Sequence, residues 1–459
     1  MHKTKKPYSL PEPLLCSKEK IENGISMELV DEYIRKHENR LQRYSYLENL
    51  YKGFHDVYKQ PEKENWKPDN RLAVNFPRYI TETFMGYAYG IPIKKSHPND
   101  RVYEVIKDFE SKNEITDHEY ELFKKACIYG HAWEYIYQDE EAQTKMTVCT
   151  PKELFAVYDD TLKNRALFAI RYGRHDTESD YAGETYGEIL TRTSIEEFEH
   201  GQKKDEYENP YGYIPCVEYR LNDERIGIYE EVTGLVEAYN HAIGEKANDV
   251  DAFAEAYLAV LGAELDEDGV YKIRDNRIIN LYGTDDAKDV LVQFLQKPTA
   301  DGTQENLLDR LEVLIYQISM VANISDKEYG SATSGIALAY KLQAMSNLAL
   351  GFDRKIEKSL RKRYKIFCSL STNAEDKDAW KDIDITTSRN IPKNQLEEAQ
   401  VASALSGVVS RETQLKVLSV VDDTKKEIER IKLEQDKEGY DTDYPTSRTL
   451  EVDNELLGG

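Results

Sequence analysis

The residue types able to do chemistry are scattered in this 459-residue chain, and most combinations fail on spacing. Tyr158-Asp159-Asp160 sets two carboxylates side by side, a pair able to hold a divalent cation. Directly after a β-type run, however, Asp-Asp also simply ends a strand in a turn. Asp266-Glu267-Asp268-Gly269 opens like a calcium loop, lacks the later ligands and reads as a hairpin turn. His131 and Glu134 lie in a Tyr/Trp-rich strand and are expected to be structural. The five cysteines, Cys16, Cys127, Cys149, Cys216 and Cys368, form no C-x-x-C pair, so free thiols in a reducing compartment are expected. G-x-x-x-x-G-K-[ST], H-E-x-x-H and G-x-S-x-G are all missing. The expectation is a chain with no catalytic residue, no cofactor and no metal.

Two segments keep a claim on function. Ser325–Ser334 is small and polar, with Lys327 its only cation, Tyr329 its only ring, and Ser331 and Thr333 beside them. Such a stretch is either a mobile loop or a plain link between helices. The run from Arg354 to Lys365 carries Arg354, Lys355, Lys358, Arg361, Lys362, Arg363 and Lys365, with Glu357 its only acid. It reads as a surface for acidic partners or phosphates, or as a helix face paired with a neighbouring subunit's carboxylates; the second reading is preferred. The whole chain is acidic, at −24, which argues against a protein that grips nucleic acid over a wide area. The 33 tyrosines suit either subunit contacts or a Tyr-rich core.

These segments must be positioned by the surrounding elements, and the length implies two to four structural units. Ser26 caps a helix carrying Val30, Ile34, Leu41, Tyr44, Leu47 and Tyr51, stopped by Gly53. Further helices are predicted at Asn75–Tyr89, ended by Gly90-Ile91-Pro92, and at Asp100–Tyr129, broken near Lys112–Thr116. Ala132–Arg220 turns strand-rich, and residues 173–212 read as an exposed hairpin and loop. Tyr229, Val232, Val236, Tyr239, Ile243, Ala247, Val250, Ala254 and Tyr257 form one long helical stripe. A β-type insert follows, then helices with Leu307, Leu311, Leu314 and Ile318, and with Phe352, Ile356, Leu360, Tyr364 and Phe367. A strand at Asp382–Thr386 and short helices around Leu396–Val409, Arg411–Leu418 and Thr424–Leu433 complete an α+β, mainly helical chain. The tail is expected to be disordered, and neither a membrane span nor a signal peptide is expected.

Read in order, the residues resemble a known family. Arg43-Tyr44, Leu47, Tyr51, Gly53 and His55 come first, then Asn70-Arg71, Asn75, Ile80, Gly86-Tyr87, Gly90 and Pro92-Ile93. Asn113, Tyr129-Gly130, Ala132, Glu134, Tyr137, Pro151 and Tyr158-Asp159-Asp160 follow. Pro215, Glu218-Tyr219, Asn222, Gly227 and Glu230 lead to Ala247-Asn248 and Phe253-Ala254. Ser334-Gly335-Ile336-Ala337, Tyr340-Lys341-Leu342 and the basic run close the set, which spans about residues 26 to 436. Cys216 and the loop at 175–212 depart from the pattern. The chain resembles phage portal proteins of the group common in long-tailed phages and prophages of Gram-positive bacteria.

The resemblance implies a ring, usually of twelve subunits, at the capsid vertex, with double-stranded DNA passing through its channel. It implies a wing (1–228 and 335–390), stem helices (229–256 and 303–324), a clip (257–302), a tunnel loop (325–334), a crown (391–436) and an acidic tail (437–459). In that scheme Lys327, Tyr329, Ser331 and Thr333 touch DNA. Glu237, Glu245, Asp249 and Asp251 are candidate channel-lining acids, and Asp266, Asp268, Arg274 and Arg277 face partners from the clip. Those partners are the terminase large subunit and then a head-completion adaptor, with capsid and scaffolding proteins around the ring. Assembly in the host cytoplasm and a final place in the virion follow. The rival readings are a non-viral oligomeric scaffold and an enzyme with its site in residues 130–220.

Overall fold

The computed structural model describes residues 12–64, 67–175, 183–254, 258–261, 291–294, 301–324, 335–391, 395–418, 420–421 and 424–440. The tunnel-loop candidates Lys327, Tyr329, Ser331 and Thr333 and the clip candidates Asp266, Asp268, Arg274 and Arg277 lie outside the described residues.

β1 (Leu14–Cys16) precedes α1 (Met27–Tyr51), whose first turn is closed by Ser26 Oγ accepting from the Leu29 amide at 3.4 Å. α2 (Phe76–Tyr89) starts with Asn75 as its cap and Pro77 in its first turn. After β2 (Lys94–Ser96) come α3 (Asp100–Lys112) and α4 (Ile115–Tyr129). The break between the helices falls where the spacing predicts it, at Glu114, which is left-handed with φ +47°. α4 ends on Gly130, φ +87°, where a Cβ would sit 2.0 Å from the Arg225 carbonyl oxygen, so only glycine fits.

Eight strands follow: β3 (His131–Gln138), β4 (Thr144–Cys149), β5 (Leu154–Asp159), β6 (Ala166–Arg174), β7 (Thr185–Leu190), β8 (Ser194–Glu199), β9 (Gln202–Glu208) and β10 (Cys216–Arg220). They make a six-stranded sheet, β1-β5-β6-β7-β8-β9, with β1 parallel to β5, and a three-stranded sheet, β10-β3-β4. α1 buries Val30, Tyr33 and Ile34 against Phe155, Val157, Phe168 and Ile170 of the large sheet. Trp133, Cys149, Leu154, Ala169 and Cys216 form a second core joining the two sheets. The expected exposed hairpin and loop at 173–212 is corrected here: three strands extend the large sheet. Their acidic composition conceals the buried Ile189, Leu190 and Phe198 that hold them in register.

α5 (Thr233–Ala254) packs along α6 (Asp301–Ser319), and between them in sequence β11 (Leu258–Leu261) pairs antiparallel with β12 (Leu291–Phe294). The 22 residues of α5 span about 33 Å. α7 (Gly335–Lys341) is followed by α8 (Gln343–Phe367), which lies on β10, and β13 (Asp384–Thr386) pairs with β2. A second compact unit contains α9 (Gln395–Ala404), α10 (Arg411–Lys416) and α11 (Thr424–Tyr440). There Ser410 Oγ accepts from the Thr413 amide and Gln414 Nε2 donates to the Ala402 carbonyl at 2.8 Å. α11 runs to Tyr440, so the expected disorder does not begin at 437. No helix among the described residues is long and apolar enough to cross a membrane.

Candidate functional site

The α5–α6 pair is braced by a strap, residues 55–64 and 67–75, that runs beside α5. Asn70 donates its amide to Asn248 Oδ1 at 2.6 Å, and Val74 donates its amide to Asn240 Oδ1 at 2.8 Å. Glu237 faces His55 Nδ1 at 3.0 Å and accepts from the Asp56 amide at 3.2 Å. Lys63 pairs with Glu245 at 2.8 Å, and Asn70 Nδ2 donates to Asp251. The residues turned to the strap, Glu237, Asn240, Gly244, Asn248 and Asp251, recur at three- and four-residue steps, which is one face of a helix. Gly244 costs helix stability of about 1 kcal/mol relative to Ala. Its place is explained by the strap, because a Cβ there would lie 2.9 Å from the Asn70 carbonyl.

The four acids proposed from sequence therefore sit in defined places. Glu237 is 19% exposed and committed to His55; Glu245 is half exposed beside Lys63; Asp251 is bound by Asn70. Asp249 instead accepts from Gln304 Nε2 of α6 at 3.0 Å, and Lys246 pairs with Glu305, so two polar links tie the helices together. At the base of the pair, the Phe76 ring wedges between Tyr239 (5.0 Å) and Tyr316 (5.8 Å). The apolar stripe of α5 is only partly used. Val236 is buried, as is Val232 just before the helix, whereas Val250 is 60% exposed, and on α6 Leu307, Val313 and Ile318 are 51%, 53% and 43% exposed.

The basic run on α8 divides in two. Arg363 is wholly buried and binds Glu134 and Glu119 of its own chain, with its guanidinium 5.6 Å from the Tyr219 ring. That corrects its expected place in a surface facing a neighbour. Its helical phase explains the outcome: Phe352, Ile356, Ser359, Arg363 and Ile366 share the buried face. The other cations border an open groove of about 720 Å³ floored by Trp133, Tyr158 and Trp380. Lys355 pairs with Asp223 at 2.6 Å, Arg361 with Glu357 at 2.9 Å, and Lys362 donates to the Cys216 carbonyl at 3.1 Å. Lys365 Nζ lies 4.9 Å from the centre of the Tyr213 ring. Arg354 and Lys358 are exposed and form no ion pair among the described residues.

Of the perturbed carboxylates in the 130–220 region, Glu134, Glu218 and Asp159 are each bound by several partners. Burial alone would raise the Glu134 carboxyl; Arg363 and His118 outweigh it and hold it down at about 2. Burial likewise opposes ionisation of Glu218, yet Arg225, His131 and Arg220 keep it well below the usual carboxylate range. His131 presents Nδ1 to Glu218 at 2.9 Å and Nε2 to the Tyr44 hydroxyl at 3.1 Å, and burial pushes its pKa down to about 4. Asp159 accepts from Thr161 Oγ1 at 2.8 Å and from the Arg165 amide at 3.1 Å, the geometry of a turn. These groups hold structure together. Sequence reasoning missed the strap, although Asn240, Gly244 and Asn248, poor helix formers spaced by four inside a helix, were a legible sign of it.

The chain is similar to known proteins over most of its length. The chain is 22% identical over 422 residues to the portal protein of Bacillus phage SPP1, covering 85% of this chain and 81% of that protein. It is 22% identical over 401 residues to the portal protein of Clostridium phage phiCD119, covering 80% and 85%. A chain from the neck of a native GTA particle, computed with C12 symmetry, is similar with a TM-score of 0.45 at 10% identity, covering 82% of this chain and 93% of that one. The family model described as "Phage portal protein, SPP1 Gp6-like" matches residues 30–440, and the chain belongs to that family of phage portal proteins.

Proposed function

We propose that identical copies of this portal protein close into a ring, twelve in the virion, around a channel through which double-stranded DNA is packaged and ejected. Portal proteins form the channel at the capsid vertex and are part of the virion at the head–tail junction. The observation that carries the ring is the apolar surface left on the α5–α6 pair, Val250, Leu307, Val313 and Ile318. Large apolar side chains left in water along two packed helices gain by being covered by another chain. In a homo-oligomer the covering chain is the next copy, related by rotation. The α5–α6 pair is then the stem. Glu245, Asp249 and Asp251 lend it negative charge, and a wall that does not neutralise phosphate lets the duplex slide.

The remaining regions take the roles the family suggests. Residues 1–228 and 335–390 make the wing, 257–302 the clip, 325–334 the tunnel loop and 391–436 the crown. Asp266, Asp268, Arg274 and Arg277 of the clip meet the terminase large subunit and later the head-completion adaptor. Lys327, with Tyr329, Ser331 and Thr333, gives each subunit one weak phosphate contact that is passed along the ring. Arg354, Lys355, Lys358, Arg361, Lys362 and Lys365 offer the adjoining subunit, or capsid and scaffolding proteins, a basic groove in an otherwise acidic molecule. Assembly takes place in the host cytoplasm. Electron microscopy of the purified protein tests the proposal: rotationally symmetric rings with an open centre are expected, and Val313→Asp with Ile318→Asp should return them to monomers. A wild-type protein that stays monomeric at high concentration, or rings with a closed centre, would overturn it.

A further inference from the structure

At one end of the six-stranded sheet, among residues that line neither the basic groove nor the α5–α6 pair, three imidazole and carboxylate donors converge. His175 follows β6; Glu199 ends β8; His200 opens the turn into β9. His175 Nε2 lies 3.1 Å from Glu199 Oε1, and His200 Nε2 lies 3.7 Å from the same oxygen. All three donor atoms fall within 4.8 Å of one another, and the two imidazole rings face each other with centroids 5.3 Å apart. Tetrahedral zinc, with bonds of about 2.0–2.2 Å to nitrogen and oxygen, sets neighbouring donors about 3.4 Å apart. The observed separations bracket that value. We propose that His175, Glu199 and His200 bind one divalent transition-metal ion, zinc by preference, at the tip of this sheet.

Three further features support the assignment. His200 uses its other ring nitrogen, Nδ1, on the Glu184 carboxylate. A histidine that ligates through one nitrogen and donates to a carboxylate from the other is the arrangement that fixes its tautomer and orientation for metal. Lys204 engages Glu199 Oε2, which leaves Oε1 as a single-oxygen ligand. The backbone also holds His200 at φ +52°, followed by Gly201 at +71°, as in the tight turns that favour Asn-Gly. An imidazole at that strained position is a choice that the turn alone does not require. The donors are held by main-chain bonds, since the His175 amide donates to the Glu184 carbonyl at 3.0 Å and the His200 amide to the Thr185 carbonyl at 3.3 Å. Two nitrogens and one oxygen suit zinc, cobalt or nickel and not magnesium or calcium. A fourth position remains for water or a partner's side chain, and the bound ion would pin the β8–β9 turn to the end of β6.

The test is equilibrium dialysis of the full-length protein against zinc, read by elemental analysis, with cobalt(II) absorption as a second readout. One ion per chain is expected, with a visible cobalt band typical of a four- or five-coordinate nitrogen and oxygen site. His175→Ala and Glu199→Gln should abolish stoichiometric binding. His200→Asn should do the same while keeping the turn, because Asn tolerates the left-handed conformation. Glu184→Gln should weaken binding about 10- to 100-fold. Circular dichroism checks that each variant is folded. Substoichiometric zinc in the wild type, or full zinc content in His175→Ala and His200→Asn, would overturn the assignment.

Discussion

Replacing Arg363 separates a structural role from a subunit-contact role. Its guanidinium is the main counter-charge for Glu134, which is 0% exposed, and a partner of Glu119, which is 5% exposed. Arg363→Met keeps much of the volume and removes the charge. Glu119 still has Lys95 at 2.9 Å, but Glu134 is left with His118 and the Tyr219 hydroxyl and no permanent cation. Stranding a buried charge in this way costs about 3–5 kcal/mol. The loss must also depend on pH. Without Arg363, burial dominates and the folded-state pKa of Glu134 rises above its ordinary 4.5. A carboxyl with a raised folded pKa is destabilising above its unfolded value, so the variant should lose stability as pH climbs from about 4.5, by at most about 1.4 kcal/mol per unit. Urea unfolding followed by the fluorescence of Trp133 and Trp380, run at pH 5 and pH 8, reads both effects. Arg363→Met/Glu134→Leu should regain most of the loss, since removing both partners leaves no orphaned charge. If Arg363→Met costs under about 1 kcal/mol at both pH values and instead reduces the proportion of rings, the buried-pair argument is wrong.

Acidification should destabilise the wild type before its carboxylates titrate. His37 is buried, with Nε2–H donating to the Pro151 carbonyl at 2.8 Å and Nδ1 facing the Tyr172 hydroxyl, and burial lowers its pKa to about 3; His131 falls to about 4. Both take up protons more readily when unfolded, so stability is full above pH 6.5 and falls below it. By pH 5.5 each should cost about 1.4 kcal/mol, and an unchanged urea midpoint between pH 7.5 and 5.5 would refute this. Gly244→Ala should destabilise despite better helix propensity, because the new methyl meets Asn70; faster amide exchange at 70–75 would report the displaced strap, and a stabilised protein would contradict it. Arg354→Glu with Lys358→Glu should leave monomer stability within about 0.5 kcal/mol while shifting sedimentation from rings to smaller species; unaltered rings would take the groove out of assembly. Lys327→Ala should leave rings intact and impair DNA packaging, and normal packaging would remove that residue from the mechanism.

Helix ends were legible wherever one local device sets them. Ser26, Asn75, Ser410 and the Lys112–Thr116 break are each read from a few neighbouring residues, and each stands in the structure close to its expected place. The misses share a different cause. β7–β9 pair only with their neighbours in a meander, and their exposed faces are acidic, so composition resembles a loop until the few buried apolar residues are seen packed. Arg363 sits among six other cations, yet only helical phase distinguishes it, placing it with Phe352 and Ile356 and not with Arg354 and Lys358. The strap has little periodicity of its own, because its order is borrowed from the side chains of α5.

That borrowed order bears on how a DNA channel could be built from an acidic protein. Contacts from the strap, at Glu237, Asn240, Gly244, Glu245, Asn248 and Asp251, fix the rotation of α5 about its own axis within a single chain. Gln304 and Lys246 then fix α6 relative to α5. Polar contacts of this kind are directional, whereas the apolar side chains Val250, Leu307 and Val313 would tolerate several rotations equally well. The acids and the apolar patches are therefore set in relation to one another before any second copy arrives. Assembly by hydrophobic burial then has only to cover the patches, and the placement of negative charge follows without further specification. Loosening the strap should accordingly damage DNA passage more than ring formation, because the apolar surface survives while its register to the acids is lost.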